Sequence, residues 1–255
     1  MIKIADAFRT GKAFIPFLTV GDPDLETTEQ LVCAMADAGA DLIELGIPFS
    51  DPTAEGPVIQ GANLRALSGG VTTDQVFDLV RRLRQRVTVP MVFMTYANVV
   101  FSYGAERFLS TAAEAGVQGL ILPDVPFEEK SEFEPLCAKY GLELVSMIAP
   151  TSQDRIRTIA KEARGFIYCV SSLGVTGVRS SITTDIGAMV ALVKEVTDVP
   201  VAVGFGISTP EQAHNLAALS DGAIVGSAIV KLVAQYGRAS VPQVAEYVRQ
   251  MKAAL

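Results

Sequence analysis

Glu44 sits inside the run Leu42-Ile43-Glu44-Leu45, whose apolar neighbours predict a buried strand. An unpaired carboxylate there is costly, and burial favours its protonated form. That raises the pKa toward the range of an acid able to donate a proton near neutral pH. The stretch Gly46-Ile47-Pro48-Phe49-Ser50-Asp51-Pro52 follows, with Glu55 just beyond it. Asp51 and Glu55 thus fall on a Pro- and Gly-rich turn, where side chains can converge on a ligand. Three acids around one strand end point to general acid–base catalysis. The competing reading of Glu44 ties it to a neighbouring cation or to backbone amides, since ion-pair networks also shift pKa values.

Other chemistries have little to build with. His214 is the one histidine, on an expected exposed helix, so a catalytic triad or a histidine-based metal site lacks its parts. Cys33, Cys137 and Cys169 show no metal-ligand spacing, and their odd number argues against a disulfide framework. No metal ligand set and no cofactor motif is read from the chain.

Two glycine-containing loops near the C-terminus suggest phosphate binding. Gly204-Phe205-Gly206-Ile207-Ser208 follows one expected strand, and Val225-Gly226-Ser227-Ala228 follows the next. Gly204 and Gly206 let the backbone approach a ligand, while Ser227 and helix-opening amides supply donors. The plain alternative is a pair of tight turns. A further loop, Ser171-Ser172-Leu173-Gly174-Val175-Thr176-Gly177, has the glycines and hydroxyls of a segment that could close over a ligand; it reads equally as an ordinary mobile loop.

These residues are spaced by a repeating pattern. Ala38-Gly39-Ala40-Asp41, Ala115-Gly116-Val117-Gln118, Ala163-Arg164-Gly165 and Leu219-Ser220-Asp221-Gly222 each precede a short apolar run. Strands are predicted at 14–19, 42–45, 92–95, 119–122, 142–148, 166–170, 201–204 and 223–225. Amphipathic helices are predicted at 25–38, 73–86, 105–115, 153–163 and 185–196. Strand and helix alternate without a linker, and eight strands in 255 residues match a closed (β/α)8 barrel forming a single domain over 1–255. An open doubly wound sheet is the alternative. Against it, Thr19-Val20-Gly21-Asp22 stands where a dinucleotide fingerprint would follow the first strand. Barrels carry chemistry at the C-terminal strand ends, where the unusual polar residues fall, and commonly bind phosphate after strands seven and eight.

Composition bounds the partners. Hydrophobic residues make up 49% of the chain, enough for a large core, and the formal net charge of −7 disfavours nucleic acid and anionic membrane. The basic cluster Arg81, Arg82, Arg84 and Arg86 reads as a solvated helix end. Lys3, Asp6, Arg9 and Lys12 interrupt any signal-like apolar run, and no stretch is long enough to span a bilayer, so a soluble cytoplasmic protein is expected.

Taken as an ordered set, several segments resemble the tryptophan synthase α-subunit family. They are Phe14–Pro23, Glu44–Gln60, Tyr96-Ala97-Asn98, Pro123-Asp124-Val125-Pro126, Gly174–Gly177, Gly204–Ile207 and Gly226-Ser227. The resemblance implies a barrel with extra short helices at the N-terminus and after strands 2 and 8. It implies cleavage of indole-3-glycerol phosphate to indole and glyceraldehyde 3-phosphate without metal or organic cofactor. Glu44 would be the main general acid–base, and Glu55 would stabilise positive charge at the ring nitrogen. Phe17, Ile59, Met94, Tyr96, Ile121, Tyr168 and Phe205 resemble the indole pocket. Gly177, Phe205, Gly206, Gly226 and Ser227 resemble the phosphate cradle, and Asp51, Asp124 and Thr176 the closing gate. The family docks onto a pyridoxal-phosphate-bearing β subunit in an αββα heterotetramer, with the segment 49–60 and the loop after Pro126 as interface elements. Two departures stand out: Glu55 where the family commonly has Asp, and Ser172 where many relatives have Arg. A stand-alone lyase, or a weakly catalytic subunit that mainly activates its partner, are the other functions the sequence leaves open.

Overall fold

The computed structural model describes residues 2–170, 185–204 and 206–255. Among them nine strands form one sheet: β1 (Ala13–Thr19), β2 (Ile43–Gly46), β3 (Met91–Met94), β4 (Gly119–Ile121), β5 (Glu143–Leu144), β6 (Ser146–Ile148), β7 (Ile167–Val170), β8 (Val201–Gly204) and β9 (Gly222–Val225). Every pairing is parallel, and the order runs β5-β4-β3-β2-β1-β9-β8-β7-β6. Because β5 and β6 are separated only by Val145, the sheet's two ends are one chain segment. β5 pairs with β4 while β6 pairs with β7, which closes an eight-position barrel.

Helices wrap the outside: α1 (Leu25–Asp37), α2 (Pro57–Ser68), α3 (Thr73–Leu83), α4 (Ala97–Tyr103), α5 (Ala105–Ala115), α6 (Glu134–Lys139), α7 (Gln153–Glu162), α8 (Ile186–Lys194), α9 (Pro210–Ala217), α10 (Ser227–Tyr236) and α11 (Val241–Ala253). Their starts follow from local chemistry. Asp24, Ser152 and Asp185 side chains accept first-turn amides of α1, α7 and α8, and Thr72 and Thr209 form capping boxes with Gln75 and Gln212. In α3 the helical spacing of Val76, Phe77, Val80 and Leu83 buries one face against the sheet. Short 3-10 helices occur at Ile4–Phe8, Phe127–Glu132 and Gly237–Ala239.

All eight expected strands are present, and the anticipated extra helices appear at the N-terminus, as α2, and as α10. α2 spans 12 residues, so it is no short insertion. α4, α6 and the helix at Phe127–Glu132 lie where the sequence reading placed none.

The recurring motif before each strand has a structural role. Asp41 accepts the amide of Phe14 at 2.7 Å, Gln118 that of Met91 at 2.9 Å and Asp221 that of Val201 at 2.8 Å. Each polar residue opening a new strand thereby satisfies a donor at the start of its parallel neighbour, which fixes register at the barrel's N-terminal end.

One expectation needs correction. Arg81, Arg82 and Arg86 are exposed, but Arg84 is half-buried. Its guanidinium donates to the carbonyls of Gly116, Val87 and Val89 and to Gln118 Oε1, at 2.6–3.2 Å. Burial pushes its pKa down to about 10. Gly116, with φ of +99°, leaves the space Arg84 occupies: a Cβ there would meet Arg84 Cγ at 2.8 Å. Arg84 is thus a cross-link between the end of α3 and the starts of β3 and β4.

Candidate active site

Strand alternation sends Ile15 and Phe17, Leu42 and Glu44, Val92 and Met94, Ile121, Tyr168 and Ile224 into the barrel. Ile4, Ala7 and Phe8 plug the N-terminal end, where the Phe8 and Phe166 rings lie 5.9 Å apart. Chemistry is therefore confined to the C-terminal mouth.

Glu44 is 1% exposed, and among the described residues neither of its carboxylate oxygens has a hydrogen-bond partner. Among the described residues no cation or amide opposes desolvation, and its pKa is pushed up to about 8. Among the described residues Glu44 forms no ion pair. Tyr168 lies within its field, and burial together with the Glu44 charge raises the phenol well above its ordinary range.

Glu55 is also buried, on the segment leading into α2. Asn63 Nδ2 donates to its Oε2 at 2.6 Å, and Gln60 Nε2 donates to its backbone carbonyl at 2.7 Å. Burial raises its pKa to about 7, while hydrogen bonds from Asn63 and Tyr96 pull the other way. The Tyr96 hydroxyl in turn accepts the Ala54 amide at 3.1 Å, and its ring packs 5.3 Å from Phe49.

The apolar wall joins three elements. Phe17, Ile59 of α2 and Val230 of α10 form one cluster with Met94 packed against it. Two strand-end glycines make room for Phe17. A Cβ at Gly46 would approach its ring to 2.6 Å, and one at Gly226 would stand 3.2 Å from it. Gly204, read from sequence as a ligand-approach glycine, also seats Tyr168, whose hydroxyl would lie 2.5 Å from an added Cβ.

Beside Phe17, Gly226 is the N-cap of α10 and Ser227 its first residue, so that helix opens with amides that have no partner within it, directly after β9. Gly206, in the adjoining loop, has φ of +79°, a conformation that favours glycine. Asp51 is exposed and accepts from Ser50 Oγ at 2.5 Å. Asp124 is exposed and caps α4, both oxygens 3.1 Å from the Ala97 amide. Ser172, Thr176, Gly177 and Phe205 lie outside the described residues. Among the described residues no three of His, Cys, Asp and Glu come together as a metal site.

Residues 5–255 match the family model described as tryptophan synthase alpha chain. The chain belongs to the tryptophan synthase alpha chain family. It is 49% identical over 255 residues to the tryptophan synthase alpha chain of Lacticaseibacillus casei, covering 100% of this chain and 96% of that one. A solved structure of Mycobacterium tuberculosis tryptophan synthase superposes with a TM-score of 0.90 at 32% identity, covering 99% and 98% of the two chains. A tryptophan synthase complex from Pyrococcus furiosus gives a TM-score of 0.87 at 34% identity, with coverage of 96% and 100%.

For this α-chain barrel, sequence reasoning missed several contributors. Asn63 and Gln60 hold Glu55, and Asp22 forms a two-pronged ion pair with Arg65 of α2 at 2.7 and 2.8 Å, fixing that helix to the loop after β1. The one available signal was spacing: Asn63 is four residues past Ile59, and so on the same helical face. Gly46 was visible only as part of a turn motif, not as the seat of an aromatic ring.

Proposed function

We propose that this chain cleaves indole-3-glycerol phosphate to indole and glyceraldehyde 3-phosphate, as the α subunit of tryptophan synthase in tryptophan biosynthesis. The observation carrying this reading is Glu44: a fully buried acid with no hydrogen-bond partner among the described residues, with a pKa of about 8, on the barrel's inward-facing side. Such a group is protonated at neutral pH, and no competing acceptor for its proton stands among the described residues.

Carbon–carbon cleavage needs an electron sink. Glu44 gives its proton to C3 of the indole ring, which places positive charge on the ring nitrogen. Glu55, ionised in part at neutral pH, stabilises that charge and takes up the nitrogen's proton. The carboxylate left on Glu44 then removes the proton of the side-chain hydroxyl next to the ring. The C3–carbon bond breaks, its electrons restore the aromatic ring, and the hydroxyl carbon becomes the aldehyde. Glu44 ends protonated and the ring nitrogen recovers its hydrogen, so the cycle closes. Phe17, Ile59, Met94, Tyr96, Ile121, Tyr168 and Phe205 hold the indole. Gly177, Phe205, Gly206, Gly226, Ser227 and the α10 amides hold the phosphate, and Asp51, Asp124 and Thr176 gate the mouth.

We further propose that residues 1–255 act as one domain in the cytoplasm and bind a β subunit in an αββα assembly. Exposed Leu64 of α2 and Phe101 of α4, on helices that follow β2 and β3, support a docking surface there. The deciding assay measures indole release from indole-3-glycerol phosphate, with and without a β subunit. Release that Glu44→Gln abolishes is the expected outcome; no release under either condition overturns the reading.

A further inference from the structure

We propose that Asn63 is the positioning residue of Glu55, with Gln60 fixing the backbone beside it, so that α2 holds the carboxylate folded back onto its own surface and the fold-back takes up the length of the glutamate side chain. This rests on the lyase reading above. Asn63 is 3% exposed, and its amide reaches Glu55 Oε2 at 2.6 Å. Gln60, one turn earlier on the same helix, grips the Glu55 carbonyl at 2.7 Å. Side chain and backbone are thus held by two amides on one face of α2. The helix is itself anchored by the Arg65–Asp22 pair, so the clamp is referenced to the barrel rather than to a free loop.

The geometry fits a glutamate. From the same backbone an aspartate would end about one bond, ~1.5 Å, short of the Asn63 amide. An amide is a donor that carries no titrating proton, so it orients the carboxylate without neutralising it and favours its ionised form.

Two kinds of measurement test this. In the first, kcat and KM are compared for Asn63→Ala, Glu55→Asp, Asn63→Gln and the double variant Glu55→Asp/Asn63→Gln, each checked by thermal unfolding. Misplacement near 1 Å costs about 10²-fold in a positioned site. Asn63→Ala and Glu55→Asp should each lower kcat roughly 10- to 100-fold with little change in KM. The double variant moves one methylene from the acid to the amide, and should recover most of the loss seen in Glu55→Asp. Losses that simply add in the double variant would overturn the proposal.

The second measurement needs no activity. The carbon-13 carboxyl signal of Glu55, identified by its loss in Glu55→Gln, is titrated in the unliganded protein. Asn63→Ala removes a donor to the ionised form, so the titration should move to higher pH; an unmoved titration overturns the proposal. If the natural protein releases no indole, the functional reading falls, and this titration still decides whether Asn63 acts on Glu55.

Discussion

Two buried carboxylates with different surroundings set the expected pH behaviour. Glu55 must be ionised to meet positive charge, and Glu44 protonated to give its proton. Their values of about 7 and about 8 predict a narrow bell in kcat/KM, falling on the acid side as Glu55 protonates and on the alkaline side as Glu44 ionises. A flat profile between pH 6 and 9 would contradict this assignment. Glu44→Gln should lower kcat by about 10²–10⁴-fold. It should also change stability in a defined direction. Glu44 holds its proton in the folded state between its unfolded value of 4.5 and about 8, so folding loses stability as pH rises through that window. At about 1.36 kcal/mol per unit, Glu44→Gln should gain several kcal/mol over the natural protein between pH 5 and pH 8. Urea midpoints at the two pH values measure it; a difference that does not grow with pH would show that Glu44 is not desolvated. Glu44 was legible in the sequence because a charge inside an apolar strand is a conflict that local pattern exposes. Asn63 was not, because its partner lies eight residues back across a helix start, and an asparagine on a helix face carries no pattern of its own.

Elements were legible where burial is symmetric. Parallel barrel strands are covered on both faces and read as short apolar runs, which is why all eight were found to within about a residue. α4 was hidden by its composition: Ala97-Asn98-Val99-Val100-Phe101-Ser102-Tyr103 is rich in β-branched and aromatic residues, and tertiary packing overrides their weak helix preference. The role of Arg84 was hidden because its acceptors are carbonyls at the starts of two other strands, which no helical pattern encodes. Arg84→Ala should take the donor from the Val87 and Val89 carbonyls, while Gly116 keeps its bond from Gln118, and destabilise the fold by roughly 1–3 kcal/mol per lost acceptor, with KM unchanged because the cross-link sits at the opposite end from the mouth. Chemical denaturation and steady-state kinetics check both halves of that statement. At the mouth the expectation inverts. Gly46→Ala drives a methyl against Phe17, where the approach would be 2.6 Å, and should raise KM as the ring is displaced while costing about 1–3 kcal/mol of stability. A Gly46→Ala protein with natural KM would show that Phe17 does not line the substrate.

At the scale of the whole molecule, Leu64 of α2 and Phe101 of α4 are large apolar side chains left exposed, on helices that follow β2 and β3. Titration with a β subunit should yield a heteromeric complex and raise the rate of indole release, since a partner that binds the competent state better shifts the population toward it. Sedimentation and a parallel activity titration decide; no complex and no rate change would rule it out. No helix among the described residues is long and apolar enough to cross a membrane. The closure at Val145 has a consequence of its own. The β4–β5 pairing spans only two residue pairs, whereas each of the other seven pairings around the cylinder spans three or four. A cylinder so built has a zip. The amides of Glu143 and Val145, bonded to Gln118 and Leu120, are its teeth, and solvent deuterium should reach them well before those of Ile43 and Leu45 in the longer β2–β3 ladder. Opening there would slit the cylinder lengthwise into one open sheet while its other seven seams stay sewn.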